Sequence, residues 1–186
     1  MEKELAVRKK IRLEGYDYSQ AGYYYITICV EDRHEILGIV GDAHPGVPHT
    51  VGDTHPGVPC VELNDTGKMV KQHIDNILLF YNAVKINKYV IMPNHIHMII
   101  VLEHGTPGCA SPTEHGTPGC ASPTKSTLAK IINAFKSLTS RKFGESMWQR
   151  SYYEEIIRSE SRYRQIWQYI ENNPSKWAED DYFVKK

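Results

Sequence analysis

Short apolar runs, separated by stretches with helical spacing, divide this chain into strands and helices. Residues 23–30 are rich in aromatic and β-branched side chains, a composition typical of buried strands. Two further β-rich runs, 85–92 and 95–102, flank Pro93-Asn94, a pair that favours a tight turn. The pattern therefore predicts a hairpin around this turn and an earlier buried strand, which we expect to pair with residues 36–40.

Apolar residues at helical spacing predict a first helix over 67–82, preceded by the capping candidates of 64–66, and a last helix over 161–172. A middle helix begins at Ser126 or Thr127 and ends near residue 142. Its predicted apolar face consists of Leu128, Ile131, Ile132, Phe135 and Leu138. An extended segment, 148–157, follows. This order, β-β-α-β-β-α-β-α, predicts an α+β fold, ferredoxin-like, with helices packed on an antiparallel sheet.

Two segments rich in proline and glycine interrupt the pattern. Residues 40–61 contain two near-copies of an 11-residue unit, and residues 103–124 contain two identical copies of another. Units this short, without an apolar face, do not stack into a solenoid, and their histidines and cysteines lack the spacing of metal sites. We therefore expect one domain over 1–186, with both segments inserted as lengthened surface loops.

Composition narrows the functional classes. The 186 residues include 22 Lys plus Arg and 22 Asp plus Glu, and 41% are hydrophobic, which argues against a disordered chain. No apolar run approaches the ~20 residues that span a bilayer, and the N-terminus lacks a secretory apolar region. We expect a cytoplasmic protein without a membrane partner. Without the repeats the net charge would be +4, which permits a polyanionic partner.

His95 and His97 are the most informative residues. On a strand, residues i and i+2 project from one face, so the two imidazoles would lie side by side while Ile96 and Met98 face the core. Neutral imidazoles bind divalent ions, but two ligands are too few. Because protonation competes with coordination, we expect activity to fall below pH ~6.5. Histidines that simply form hydrogen bonds remain the alternative.

Tyr169 and Asn173 complement the histidines. They are i and i+4 on the last predicted helix and therefore share a face. A tyrosine hydroxyl is a weak nucleophile unless a metal or a base assists it, and an asparagine carbonyl oxygen can serve as a third metal ligand. The alternative is an ordinary core tyrosine.

A basic stretch lies between these two motifs, close to aromatic residues. Cations that follow a phosphate backbone, beside aromatic rings that stack on bases, suit single-stranded or hairpin nucleic acid. The candidate DNA-binding residues are Lys130, Lys136, Arg141, Lys142, Trp148 and Arg150. A solvated helix face with a structural tryptophan is the alternative.

Four ordered blocks, IRLEGYDYSQAGYYYITICVEDRHEILG, VIMPNHIHMIIVL, MWQRSYYEEIIR and YIENNP, together resemble the single-tyrosine HUH transposases, in particular the REP-associated branch. The resemblance implies a ferredoxin-like HUH domain that uses Mg²⁺ or Mn²⁺ on single-stranded DNA next to a hairpin. It implies that His95, His97 and Asn173 bind the metal. It also implies that Tyr169 attacks DNA to form a 5′-phosphotyrosine during DNA transposition.

Three functions remain open at this point. A strand-transferring transposase would use all four residues of the two motifs. A hairpin-DNA-binding protein without cleavage activity would need none of them, and a metal-dependent hydrolase would leave Tyr169 unexplained. Members of the resembled family occur as monomers and as dimers, so a homodimer is open as well.

Overall fold

The computed structural model describes residues 20–41, 59–103 and 127–184. Most of both repeat segments therefore lies outside the described residues. Short 3-10 turns occupy Glu31–Arg33 and Pro174–Glu179. The described strands and helices are β1 (Gly22–Cys29), β2 (Gly38–Gly41), β3 (Cys60–Leu63), α1 (Asp65–Phe80), β4 (Val84–Met92), β5 (His95–Leu102), α2 (Thr127–Phe143), β6 (Tyr153–Ile157) and α3 (Glu160–Asn172).

Within the described residues, four strands form one antiparallel sheet in the order β4-β5-β1-β6. The hairpin of β4 and β5 turns at Pro93 and Asn94, as the turn chemistry predicts. In the β1–β5 register, Cys29 lies opposite His95 and Thr27 lies opposite His97. The predicted α+β fold, with helices on an antiparallel sheet, is confirmed.

The predicted partner of the first strand is wrong. Both edges of β1 are occupied, one by β5 and the other by β6, so β2 has no free edge of β1 to join. Instead β2 pairs with β3 in a separate two-stranded ribbon, in which Val40 lies opposite Val61. The first and last residues of the repeat segment are therefore strand residues, and residues 42–59 connect the two strands.

One face of the sheet holds the larger core. Side chains of β1 and β5, among them Ile26, Ile96 and Met98, pack there against α1 and α2. Helix α1 begins and ends two residues earlier than predicted, and its N-cap is the candidate Asn64, whose side chain accepts a hydrogen bond from the backbone N–H of Gly67 at 2.9 Å.

The predicted apolar face of α2 needs one correction. Leu138 is 49% exposed, whereas Thr139 is fully buried. At about 100° per residue, position 139 returns to the direction of Leu128, while position 138 lies about 80° away from it. The Thr139 hydroxyl satisfies its polarity inside the core by donating to the carbonyl oxygen of Phe135 at 2.8 Å.

Helix α3 covers the opposite face of the sheet. Its buried residues Ile166 and Ile170 pack against Tyr25, Met92 and Ile99, which project from the strands on that side. The alternation along β5 therefore directs His95 and His97 toward the α3 layer. Among the described helices, none is both long and apolar enough to cross a membrane.

Candidate functional site

The two histidines lie together and are shielded from solvent. His95 is 0% exposed and His97 is 1% exposed, and their Nε2 atoms are 2.9 Å apart. As the strand pattern predicts, both imidazoles project from one face of β5 while Ile96 and Met98 enter the core on the other. Two ring nitrogens therefore converge on one point.

Each imidazole is held through its other nitrogen. The Nδ1 atom of His95 is 2.8 Å from Oδ1 of Asn94. The Nδ1 atom of His97 is 2.8 Å from the hydroxyl oxygen of Tyr25 and 2.8 Å from that of Thr27. Such partners orient the rings and leave the Nε2 atoms to meet a ligand.

Burial keeps both imidazoles neutral. It lowers the pKa of His95 to about 3, with a further contribution from the nearby Arg33 cation. It also lowers the pKa of His97 well below the usual value, and the adjacent His95 acts in the same direction. The expected loss of activity below pH 6.5 therefore does not follow from these histidines, because the folded protein keeps them unprotonated at that pH.

Tyr169 reaches the histidines from α3. Its hydroxyl oxygen lies 3.4 Å from Nε2 of His97, and the hydroxyl donates to Oδ2 of Asp180 at 3.1 Å. The side chain is 43% exposed, whereas Ile166 and Ile170 on the same helix are buried. Tyr169 is thus not an ordinary core residue. Partial burial and the Asp180 carboxylate raise the pKa of its hydroxyl, which stays protonated.

Asn173 lies at the end of α3 with an unsatisfied oxygen. The residue is 2% exposed, and its amide nitrogen donates to Oδ2 of Asp180 at 2.6 Å. Among the described residues, no group donates a hydrogen bond to its Oδ1 atom. Because buried polar atoms are nearly always paired, an orphaned carbonyl oxygen on a side chain that is hydrogen-bonded to Asp180 fits a metal ligand.

Asp180 is a site residue that the sequence motifs do not reveal. Ligand atoms of His95, His97 and Asp180 all lie within 4.8 Å of one another. Imidazole nitrogens with a carboxylate and an amide oxygen suit a divalent ion such as Mn²⁺, and the carboxylate and amide also suit Mg²⁺. No spacing rule connects Asp180 to the motifs, because a 3-10 turn after Pro174 carries it back over α3.

The segment around Asp180 also covers His95. The rings of Trp177 and Tyr182 have their centroids 5.9 and 4.6 Å from the His95 ring. Arg33 fastens this segment by donating to the backbone carbonyl of Asp181 at 3.0 Å. The C-terminal segment therefore contributes to the burial that keeps the imidazoles neutral.

An open cleft of about 410 Å³ lies beside Tyr169. Amide and acidic side chains dominate its lining, and Lys176 is its one lysine among the described residues. The lining residues are Gln165, Gln168, Tyr169, Asn172, Asn173, Lys176, Glu179, Asp180 and Asp181. This cleft is acidic, so an entering phosphate needs a compensating cation.

The basic stretch lies mainly on the other side of the sheet, because α2 packs on the face opposite the histidines. Trp148 is 3% exposed, and its indole N–H donates to the Thr139 hydroxyl at 2.7 Å, which makes it a core residue with no free face for a base. Lys136 donates to the carbonyl of Gln149 at 2.5 Å and to that of Arg150 at 3.1 Å. The exposed cations of the stretch are Lys130, Arg141, Lys142 and Arg150.

One end of this stretch approaches the site. The backbone N–H of Gln149 donates to the carbonyl of Cys29 at 2.9 Å, and Cys29 pairs with His95 across the sheet. Gln149, the residue before Arg150, therefore lies at the same end of the sheet as His95.

The chain is similar to a curated protein and to a solved transposase. It is 38% identical over 184 residues to a protein of Haemophilus influenzae described as uncharacterized, a match that covers 95% of this chain and 93% of that protein. A solved REP-associated tyrosine transposase, bound to a REP hairpin, superposes with a TM-score of 0.58 at 18% sequence identity. That match covers 89% of this chain and 73% of the transposase, and it shows a shared fold. No protein-family model matches the sequence.

Proposed function

We propose that this chain, a member of the same family as the Haemophilus influenzae protein, cuts and rejoins single-stranded DNA next to hairpins through a covalent bond to Tyr169. The observation that carries the proposal is the convergence of one tyrosine hydroxyl on a buried histidine pair, 3.4 Å from Nε2 of His97. The fold shared with a hairpin-bound REP transposase supports this interpretation.

The covalent step uses groups already in contact. The Tyr169 oxygen would attack the scissile phosphorus, forming a bond to the 5′ phosphate while the bond to the 3′ oxygen breaks. Asp180 Oδ2, which accepts the phenolic hydrogen bond at 3.1 Å, is placed to receive the proton. The departing 3′ oxygen takes up a proton from solvent water and becomes a hydroxyl. The phosphotyrosine retains the phosphodiester energy, so the reverse attack by a 3′-hydroxyl rejoins strands without ATP.

His95, His97, Asn173 and Asp180 would hold Mg²⁺ or Mn²⁺. A bound divalent ion supplies positive charge to the scissile phosphate, which the acidic cleft beside Tyr169 lacks. The orphaned Oδ1 of Asn173 and the neutral imidazoles support this assignment.

For the DNA contacts, we assign the exposed cations Lys130, Arg141, Lys142 and Arg150 to the phosphate backbone. Lys136 would act indirectly, by fixing the segment that carries Arg150. Trp148 holds this segment to α2 from within the core.

A covalent-adduct assay tests the proposal. Labelled hairpin DNA with a single-stranded flank is incubated with protein and Mn²⁺, and the products are separated on a denaturing gel. We expect an adduct for the wild type and for Tyr153→Phe, a matched control because Tyr153 is 42% exposed and also packs on Tyr25. We expect no adduct for Tyr169→Phe, with DNA binding retained.

The other outcomes identify other functions. Free cleaved DNA from Tyr169→Phe at the wild-type rate would indicate a hydrolase that uses the histidines alone. A shift on native gels without cleavage by the wild type would indicate a binding protein. Peptide mapping of the trapped adduct would contradict the proposal if the nucleotide were attached to a tyrosine other than Tyr169.

A further inference from the structure

Asn94 makes a set of hydrogen bonds that leaves its orientation no freedom. It is fully buried in the turn between β4 and β5. Its amide nitrogen donates to the backbone carbonyls of Arg33 at 3.2 Å and of Tyr182 at 2.8 Å. Carbonyl oxygens only accept, so the NH₂ group must face them, and the amide oxygen must face His95.

This orientation decides which nitrogen of His95 carries hydrogen. The amide oxygen of Asn94 only accepts, and it lies 2.8 Å from Nδ1 of His95. A hydrogen bond at this distance therefore requires a hydrogen on Nδ1. The Nε2 atom of the neutral ring then presents a lone pair, directed at Nε2 of His97 2.9 Å away.

His97 is under no such constraint. Its Nδ1 atom meets the hydroxyls of Tyr25 and Thr27, and a hydroxyl can either donate or accept. With its hydrogen on Nε2, His97 donates a hydrogen bond to Nε2 of His95, and the two imidazoles satisfy each other. With the hydrogen on Nδ1, both Nε2 lone pairs face the same point.

We propose that Asn94 is a positioning residue that locks His95 in the metal-binding tautomer, while Tyr25 and Thr27 allow His97 to change tautomer. The metal-free pair is thereby satisfied by an internal hydrogen bond, which explains how two buried imidazoles face each other without a penalty. A bound divalent ion would take the place of that hydrogen bond, and His97 would then carry its hydrogen on Nδ1 and donate it in a hydrogen bond to the Tyr25 or the Thr27 hydroxyl. The inference rests on the proposed function in assigning the metal to this pair.

Nitrogen NMR of the histidine-labelled protein tests the tautomers directly. In the metal-free wild type we expect hydrogen on Nδ1 of His95 and on Nε2 of His97. On titration with Zn²⁺, a diamagnetic probe, we expect His97 to move its hydrogen to Nδ1 while His95 stays unchanged. Hydrogen on Nε2 of His95 in the metal-free wild type would overturn the proposal, whatever the variants do.

Variants test the two roles separately. Asn94→Ala should weaken Mn²⁺ binding 10- to 100-fold, as the loss of a residue that orients a ligand does, and should give His95 a mixture of tautomers. The double variant Tyr25→Phe/Thr27→Val should weaken Mn²⁺ binding to a similar degree and leave the His95 tautomer as in the wild type, because only the Nδ1 partners of His97 are removed.

The control addresses the C-terminal segment, which Asn94 also fastens through Tyr182. Phe183→Ala removes the ring that packs on Trp177, with ring centroids 5.2 Å apart, and leaves every hydrogen bond of Asn94 in place. We expect Mn²⁺ affinity within twofold of the wild type. An equal loss in Phe183→Ala and Asn94→Ala would overturn the proposal, because segment packing would then explain both.

The two proposals fail differently. A protein with the expected tautomers and Mn²⁺ affinities that makes no DNA adduct would contradict the proposed function alone. A protein that forms the Tyr169 adduct with the other His95 tautomer would contradict the role of Asn94 alone.

Discussion

The imidazoles of His95 and His97 lie between the sheet and the C-terminal segment, with side chains of both against them. The rings of Trp177 and Tyr182 lie near His95, and Tyr169 packs edge-on against His97 with 5.2 Å between ring centroids. Water is excluded from both nitrogens that could take up a proton, and this exclusion is the main reason for the lowered pKa values. The chemistry of these residues therefore depends on what covers them as much as on their type.

The neutral imidazoles predict how the Mn²⁺ affinity depends on pH. Between pH 7 and 5.5 a solvent-exposed histidine would gain a proton, but His95, with a pKa of about 3, stays neutral. We expect Mn²⁺ affinity of the folded protein to be nearly constant over this range, as measured by calorimetry. A tenfold loss of affinity between pH 7 and 5.5 would contradict the neutral imidazoles.

The free energy of unfolding should depend on pH in the range where the Mn²⁺ affinity does not. The unfolded chain binds protons at histidine below pH ~6.5, whereas the folded state does not. The unfolding free energy should therefore fall as pH decreases from 6.5, by up to about 1.4 kcal/mol per pH unit for each buried histidine. In denaturant titrations, His95→Gln should show a shallower pH dependence than the wild type, while His34→Gln, at an exposed position, serves as the comparison.

At the scale of elements, α2 shows how a helical face is defined by angle and not by hydrophobicity alone. Thr139 occupies the direction of Leu128, and its hydroxyl accepts the indole N–H of Trp148 at 2.7 Å. Trp148 in turn pairs with Val30 through an isolated bridge beside the end of β1. One hydroxyl thus connects α2 to the segment that leads into β6.

Thr139→Val should be costly although it preserves shape. The buried indole N–H would be left without its acceptor, which costs about 1–3 kcal/mol. Leu138→Ala, one position away, removes a half-exposed side chain and should cost less than about 0.5 kcal/mol. Urea unfolding of both variants checks the difference, and equal effects would contradict the assignment of the buried face.

In the molecule as a whole, the exposed cations of α2 and the candidate catalytic residue Tyr169 lie on opposite sides of the sheet. The cleft beside Tyr169 is acidic, and the exposed cations of α2 lie on the helix layer across the sheet. DNA that contacts both must pass around the sheet, and Arg150 lies next to the end of the sheet where the Gln149 N–H bonds Cys29. A hairpin held by α2, with its single-stranded flank directed to Tyr169, satisfies this geometry.

Salt dependence of DNA binding checks this path. Replacing Lys130, Arg141 or Arg150 with alanine removes one cation from the phosphate backbone. Each replacement should flatten the slope of log K against log salt by roughly 0.7 to 0.9. Lys85→Ala is the matched control, because Lys85 is exposed on β4 at the opposite end of the hairpin from His95. Slopes that are equal in the control and in the α2 variants would remove α2 from the interface.

The pairing of β2 with β3 predicts how shortening the repeats affects stability. Residues 42–59 connect the paired strands β2 and β3, and loop-closure cost changes by only ~0.6 kcal/mol per doubling of length. Deleting one 11-residue copy from each repeat pair should leave the melting temperature within a few degrees. A loss of several kcal/mol would show that the repeats pack against the domain.

The features that depend on local periodicity could be predicted from the sequence alone. Alternation along β5 placed His95 and His97 on one side, and α3 extends through Tyr169 and carries Asn173 at its C-cap. The strands of the four-stranded sheet, the helices and the turn at Asn94 follow from residue types whose preferences act over a few residues, whereas β3 was not predicted. These local preferences are short-ranged, so they hold whatever the rest of the chain does.

Which of these faces meet depends on the tertiary structure. It placed β1 between β5 and β6, which gave His97 its partners Tyr25 and Thr27 and left β2 to pair with β3. It brought Asp180 to Tyr169 and moved Trp148 from the expected surface into the core. Burial, pKa and hydrogen-bond partners are set by contacts between distant segments, and spacing along a chain carries no information about what covers a face.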